Sequence, residues 1–189
     1  MRLFRILSLL LVVVCAPAAF ADSLYQVEMI LVRQNAEPVI GSRAAPEDWD
    51  AGARRLGSDK MSPPRLNNIV DKLNADSNYT VLLHKAWEQN LGEQPVNIAI
   101  SDGAEQFGQF PLQGTLKLQL GRFTDVDASF WINQFDNNGN VTASEHLKQT
   151  SHTKNNQLNY LDNGQLALLI KITSLTAKPP SAAPPDVQD

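Results

Sequence analysis

The chain of 189 residues contains one cysteine, Cys15, so neither an intramolecular disulfide nor a cysteine-cluster zinc site can form. It lacks an excess of positive charge: 16 Lys and Arg stand against 20 Asp and Glu, a formal net charge of −4. That balance excludes nucleic-acid binding by bulk basicity. Long apolar runs are missing beyond the first 14 residues, which argues against a multi-spanning membrane protein. Eleven prolines and ten glycines are scattered without a period, so collagen-like and low-complexity classes fall away. Also absent are G-x-S-x-G, H-E-x-x-H, Walker A and G-x-G-x-x-G, the local signatures of the commoner hydrolases, metalloproteases and nucleotide binders. What is present is 43% hydrophobic residues, enough for a core in a chain whose length suits one domain.

The first residues read as an export signal. Arg2 and Arg5 make a cationic start, residues 6–14 are apolar except for Ser8, and Ala19-Phe20-Ala21 is a small-x-small cleavage site. The expectation is a signal peptide over residues 1–21, cut after Ala21; the alternative is an uncleaved anchor. Cys15 follows Val14 rather than a small residue, so it leaves with the signal instead of carrying lipid. Cleavage removes 21 residues and two arginines, leaving 168 residues in which 14 cations face 20 acids, a net −6. A cysteine-free, acidic periplasmic product with no membrane span is expected.

Residues 22–176 read as one α+β domain, mainly an antiparallel, meander-like β-sheet packed by one amphipathic helix. In residues 25–34, Tyr25, Val27, Met29 and Leu31 share one face while Ile30 and Val32 make the other apolar, the pattern of a central strand with something packed on each side. Residues 35–64 carry four prolines, three glycines and Trp49 without sustained periodicity, and form a long irregular loop; residues 47–56 hold room for a helical turn or two. Ser62 and two prolines then open a helix over 65–75, with Leu66, Ile69, Val70 and Leu73 at i, i+3, i+4, i+7. Tyr79, Val81, Leu83 and Trp87 alternate in a strand, although helix stays open for residues 83–91. Further strands follow at 96–100, 112–120, 126–133, 141–153 and 166–175. The turn Asp136-Asn137-Asn138-Gly139 lies between two of them, with glycine where a positive φ is needed. Residues 177–189 are a Pro-rich tail with no reason to pack.

The chemistry search leaves few candidates. His146 and His152 are six apart on one strand face, about 20 Å, too far to share a metal; solvent-facing histidines are the default and no metal or cofactor is expected. A carboxylate pair for glycoside cleavage would come from Glu88, Glu93, Glu105, Asp125, Asp127 or Glu145, but nothing in the sequence places two of them across a cleft. Candidate ligand-binding residues are Trp49 in the long loop, His84, Trp87, Gln89, Trp131, Tyr160 and Asp162. Trp87 and Tyr79 sit on an alternating face and suit a core as well as a platform. Trp131 lies on the polar side of its strand with Asp127, Ser129 and Asn133, where an exposed large aromatic calls for a ligand.

Four tracts carry a resemblance: Val27 to Arg33 in the first strand; Tyr79, Val81, Leu82, His84, Trp87 and Gln89; Gly114 to Leu118; and Tyr160, Leu161, Asp162. Together with the export signal, the chain resembles the CsiV-type peptidoglycan-binding proteins of the proteobacterial periplasm, named for cell-shape integrity. The resemblance implies a non-enzymatic module that binds peptidoglycan and assists a bifunctional penicillin-binding synthase through its outer-membrane lipoprotein activator. The chain departs from the family pattern on both sides of Tyr-Leu-Asp: an arginine-rich stretch before it is replaced by residues 150–155, Thr-Ser-His-Thr-Lys-Asn, and a His-Pro after it by Asn163-Gly164. If such arginines grip carboxylates, this chain lacks that grip. Two other classes stay open: a protein–protein adaptor acting through the long loop and a sheet edge, and a cell-wall hydrolase.

Overall fold

A computed structural model describes residues 23–35 and 44–176; the expected signal segment, part of the long loop and the Pro-rich tail lie outside the described residues. Nine strands run β1 Ser23–Gln34, β2 Arg54–Arg55, β3 Tyr79–Leu91, β4 Val96–Asp102, β5 Leu112–Leu120, β6 Thr124–Phe135, β7 Val141–Thr153, β8 Leu158–Asp162 and β9 Leu166–Ser174, with one α-helix, α1 Asn67–Ala75. The antiparallel strands divide between two sheets, one ordered β3-β1-β9-β8 and the other β2-β4-β5-β6-β7. The run β4-β5-β6-β7 is a meander; the exception to antiparallel pairing is β2, which lies parallel to β4. The 83–91 stretch that could have been helical is strand throughout. Residues 47–52 are turns, and β2 follows them.

The sheets pack face to face. Tyr25, Val27, Met29 and Leu31 from β1, Leu166, Leu168, Ile170 and Ile172 from β9, and Trp87 from β3 meet Leu116, Leu118, Val126, Ala128, Phe130 and Leu147 from the other sheet. These are the alternate positions that the period of two assigns to one face. Gly114 is small for a reason: a Cβ there would lie 2.2 Å from the Ser129 carbonyl oxygen and 2.5 Å from the Phe130 ring. Two inter-sheet ion pairs border the core, Arg33 with Glu145 at 2.6 Å and Lys85 with Asp102 at 3.0 Å.

β1 is apolar on both faces because its second face is also covered. Ile30, Val32, Ala167 and Leu169 take the stripe of α1, with Leu66 buried and Ile69, Val70 and Leu73 packed against them. The start of this helix differs from the reading in which Ser62 caps it. The N-cap position is Leu66, which has no capping side chain. Glu28 reaches from β1 instead, and its carboxylate accepts the backbone N–H of Leu66 at 2.7 Å and of Arg65 at 2.9 Å. Ser62 receives a bond from Gln26 at 3.1 Å. Adjacent outward positions of β1 thus fix the chain that leads into α1, satisfying N–H groups that a helix leaves open.

Candidate functional site

Among the described residues, no helix lies over the outer face of the five-stranded sheet. Register places on it Gln113, Thr115, Lys117 and Gln119 of β5, Asp125, Asp127, Ser129 and Trp131 of β6, and His146, Lys148, Thr150 and His152 of β7. These are the polar alternates of strands whose other side fills the core, so one pattern produces both the core and this polar face. At one end the segment from Ala44 and the loop before β5 fold over it. Gln113 is fully buried there, its amide donating to Gln109 at 2.6 Å and its carbonyl oxygen accepting from the Phe110 N–H at 2.7 Å.

Trp131 stands beside that covered end. Its indole stacks on the imidazole of His146, its partner across β6 and β7, with centroids 4.2 Å apart and planes 7° from parallel. His146 Nε2 is 3.0 Å from Ser129 Oγ. Burial holds the His146 ring below the ordinary histidine range, and Lys148 adds to that shift, which favours the neutral imidazole. Both rings are half-buried, so His146 departs from the expected solvent-facing histidine. The stack forms a flat aromatic ledge at the head of a polar surface. Further along, Lys117, Asp125, Asp127 and Thr150 line a shallow depression of about 170 Å³, and His152 Nδ1 meets the Asp125 carboxylate.

The other candidates do not share this face. Trp49 is not a surface group: it is 5% exposed, its Nε1 donates to the Gly108 carbonyl at 3.2 Å, and it packs edge-on against Phe110 with Arg55 over both rings. It forms part of the cover at the end of the open face. Trp87 is fully buried between the sheets with no partner for its Nε1. Gln89 is buried at one end of the same strand. His84 lies on the helix side of the four-stranded sheet, where its Nε2 donates to Glu28 at 2.7 Å.

Tyr160 and Asp162 also occupy the outward side of that sheet, on β8. Gln34 Nε2 donates to the Tyr160 hydroxyl at 3.2 Å and to Asp162 at 2.9 Å. Burial, the Asp162 charge, its hydrogen bond with that carboxylate, and Tyr79 push the Tyr160 hydroxyl above the usual tyrosine range. Trp131, His84 and Tyr160 therefore do not line one surface. His146 is the partner that the sequence reading missed. Its signal was alternation shared with Trp131, but alternation cannot say which residues of two strands face each other.

By architecture the chain is an α+β β-sandwich whose candidate site is an open sheet face. No group of three or more His, Cys, Asp or Glu side chains is arranged to hold a metal, and no helix is long and apolar enough to cross a membrane, among the described residues. The chain belongs to the CsiV family of peptidoglycan-binding proteins, whose profile, described as "Peptidoglycan-binding protein, CsiV", matches residues 5–63 and 53–175. Comparisons with curated proteins and with solved structures gave no match.

Proposed function

We propose that the protein is a non-catalytic periplasmic protein that binds peptidoglycan through the open face of its five-stranded sheet. In this reading it supports cell-wall synthesis by assisting a bifunctional penicillin-binding synthase and that enzyme's outer-membrane lipoprotein activator. The observation that carries the wall-binding part is the Trp131–His146 ledge on a bare polar face. An aromatic ring offers a sugar an apolar surface, and the neighbouring hydroxyl, amide and charged groups offer hydrogen bonds.

The charge of the face fits an anionic polymer better than the charge of the whole chain does. Two lysines, Lys117 and Lys148, offset two aspartates, Asp125 and Asp127, whereas the full chain is at −4. Long-range attraction therefore does not drive contact. Local hydrogen bonds at about 1 kcal/mol each, less the cost of immobilising the ligand, give single-site affinities of roughly millimolar to micromolar. On a repeating polymer, rebinding at neighbouring units makes such affinities workable.

The test is sedimentation of the mature protein with bare sacculi at low and at high salt. Retention in the pellet under both conditions is expected, because the contacts are short-range; a protein that stays in the supernatant beside sacculi refutes wall binding. The partner half is tested by capture of purified synthase and activator on the immobilised protein, and absence of both from the bound fraction refutes it.

A further inference from the structure

A cleft of about 530 Å³ lies apart from the Trp131–His146 ledge. It sits where the start of β1 and the end of β3 approach β2 and the start of β4, at one end of the sandwich. Three of its groups lack complementary partners among the described residues. Arg54 and Glu88, both exposed, form no ion pair among the described residues. Asn97 Oδ1 is buried and accepts no hydrogen bond, although its amide nitrogen donates to the Gly52 carbonyl at 3.4 Å. Gln89 is 6% exposed and its amide donates only to the adjacent Asn90 carbonyl, at 3.0 Å. A buried acceptor without a donor is expensive to leave unmatched, by roughly 1–3 kcal/mol, so turning the Asn97 amide toward the cleft, which breaks only the 3.4 Å bond to Gly52, would let a ligand N–H recover that loss. An unpaired guanidinium fits a carboxylate in a forked geometry, and an unpaired carboxylate fits an ammonium.

From this set of groups we infer that the cleft binds a short zwitterionic peptide, its carboxylate on Arg54, its ammonium on Glu88 and an amide N–H on Asn97. Asn97 is the β4 partner of Lys117, so the cleft adjoins the open face. Strand geometry puts Asn97 about 17 Å from Trp131, four residues along and two strands across. A polymer carrying both sugars and peptides could occupy both places, and only this statement of the peptide's source rests on the proposed wall binding.

The experiment follows the side-chain amide signals of Gln89 and Asn97 by NMR in the mature protein. The probes are alanyl-alanine with free ends, the same dipeptide acetylated and amidated, and a soluble muropeptide. The free dipeptide is expected to shift both signals, and blocking its ends to weaken binding about 10-fold, as does Arg54→Ala, a surface change that leaves folding intact. If the muropeptide binds more tightly than the dipeptide and Trp131→Ala removes the difference, the wall is the source. If the dipeptide binds and the muropeptide does not, the cleft takes free peptides and the wall is not their source, while this inference stands. If neither probe moves the Gln89 and Asn97 signals, or blocked and free dipeptides bind alike, the inference is overturned.

Discussion

The two outer faces of the sandwich are finished in opposite ways. On the four-stranded sheet the outward residues Ile30, Val32, Ala167 and Leu169 are apolar, and α1 buries them. On the five-stranded sheet the outward residues are mostly Thr, Ser, Lys, Asp and His, and no helix among the described residues is laid over them. An aromatic residue means different things on the two sheets. Trp87, on the inner side of the first, is fully buried in the core. Trp131, outward on the second, is half-buried and stacks on the His146 ring. The lesson is that composition of a face decides whether it is sealed, and that a large aromatic left on an unsealed face is available for binding.

The sealed side should break first. Glu28 is 3% exposed and its carboxylate holds the Arg65 and Leu66 N–H groups and His84. Glu28→Ala leaves the buried Leu66 N–H and the neighbouring Arg65 N–H without their acceptor, so the denaturation free energy should fall by about 2–3 kcal/mol. Amide exchange should speed up in α1 more than in β5 and β6. Uniform acceleration across both sheets would contradict the idea that Glu28 acts by seating the helix.

A smaller effect is expected where the sheets are joined at their margin. Arg33 forms two hydrogen bonds with Glu145, at 2.6 and 3.0 Å, but its side chain is 32% exposed. Solvent screening limits the pair, so Arg33→Met should lower stability by about 1 kcal/mol, measured by urea unfolding. A loss similar to that of Glu28→Ala would mean that the margin, and not the helix seat, is the stronger tie.

Much of this contrast was legible in the sequence. Strict alternation in residues 112–120 and 126–133 gave both strands and the correct outward sets, because one buried face fixes the register of each. The spacing of Leu66, Ile69, Val70 and Leu73 gave the helix and its buried stripe. Three things were not legible. Pairing between distant strands depends on tertiary packing, so the division into two sheets and the parallel β2–β4 contact had no local signal. Trp49 sits in a segment without periodicity, and only its contacts with Gly108 and Phe110, about sixty residues away in the chain, decide that it is buried. The cap on α1 comes from Glu28, 38 residues before Leu66, where a search for local capping residues does not look.

The smallest effect concerns pH and the open face. His146 is held below the ordinary histidine range, chiefly by burial, so the unfolded chain binds a proton more readily than the folded one. Its contribution to stability is therefore full above the ordinary histidine value and is lost as pH falls through and below it. Comparing urea midpoints at pH 8 and pH 5 in the protein and in His146→Gln should show a smaller acid loss in the variant. Equal losses in both would place the acid sensitivity elsewhere.

The most direct test of the account sets the two faces against each other on sacculi. Trp131→Ala removes the ledge on the open face, and Tyr160→Ala removes an exposed aromatic from β8 on the other sheet. Trp131→Ala should reduce the sedimented fraction about 10-fold, a change of roughly 1.4 kcal/mol in affinity, while the variant stays folded by circular dichroism and Tyr160→Ala sediments as the unaltered protein does. If Tyr160→Ala abolishes sedimentation and Trp131→Ala leaves it intact, the wall is held on the helix-bearing side and the account is contradicted.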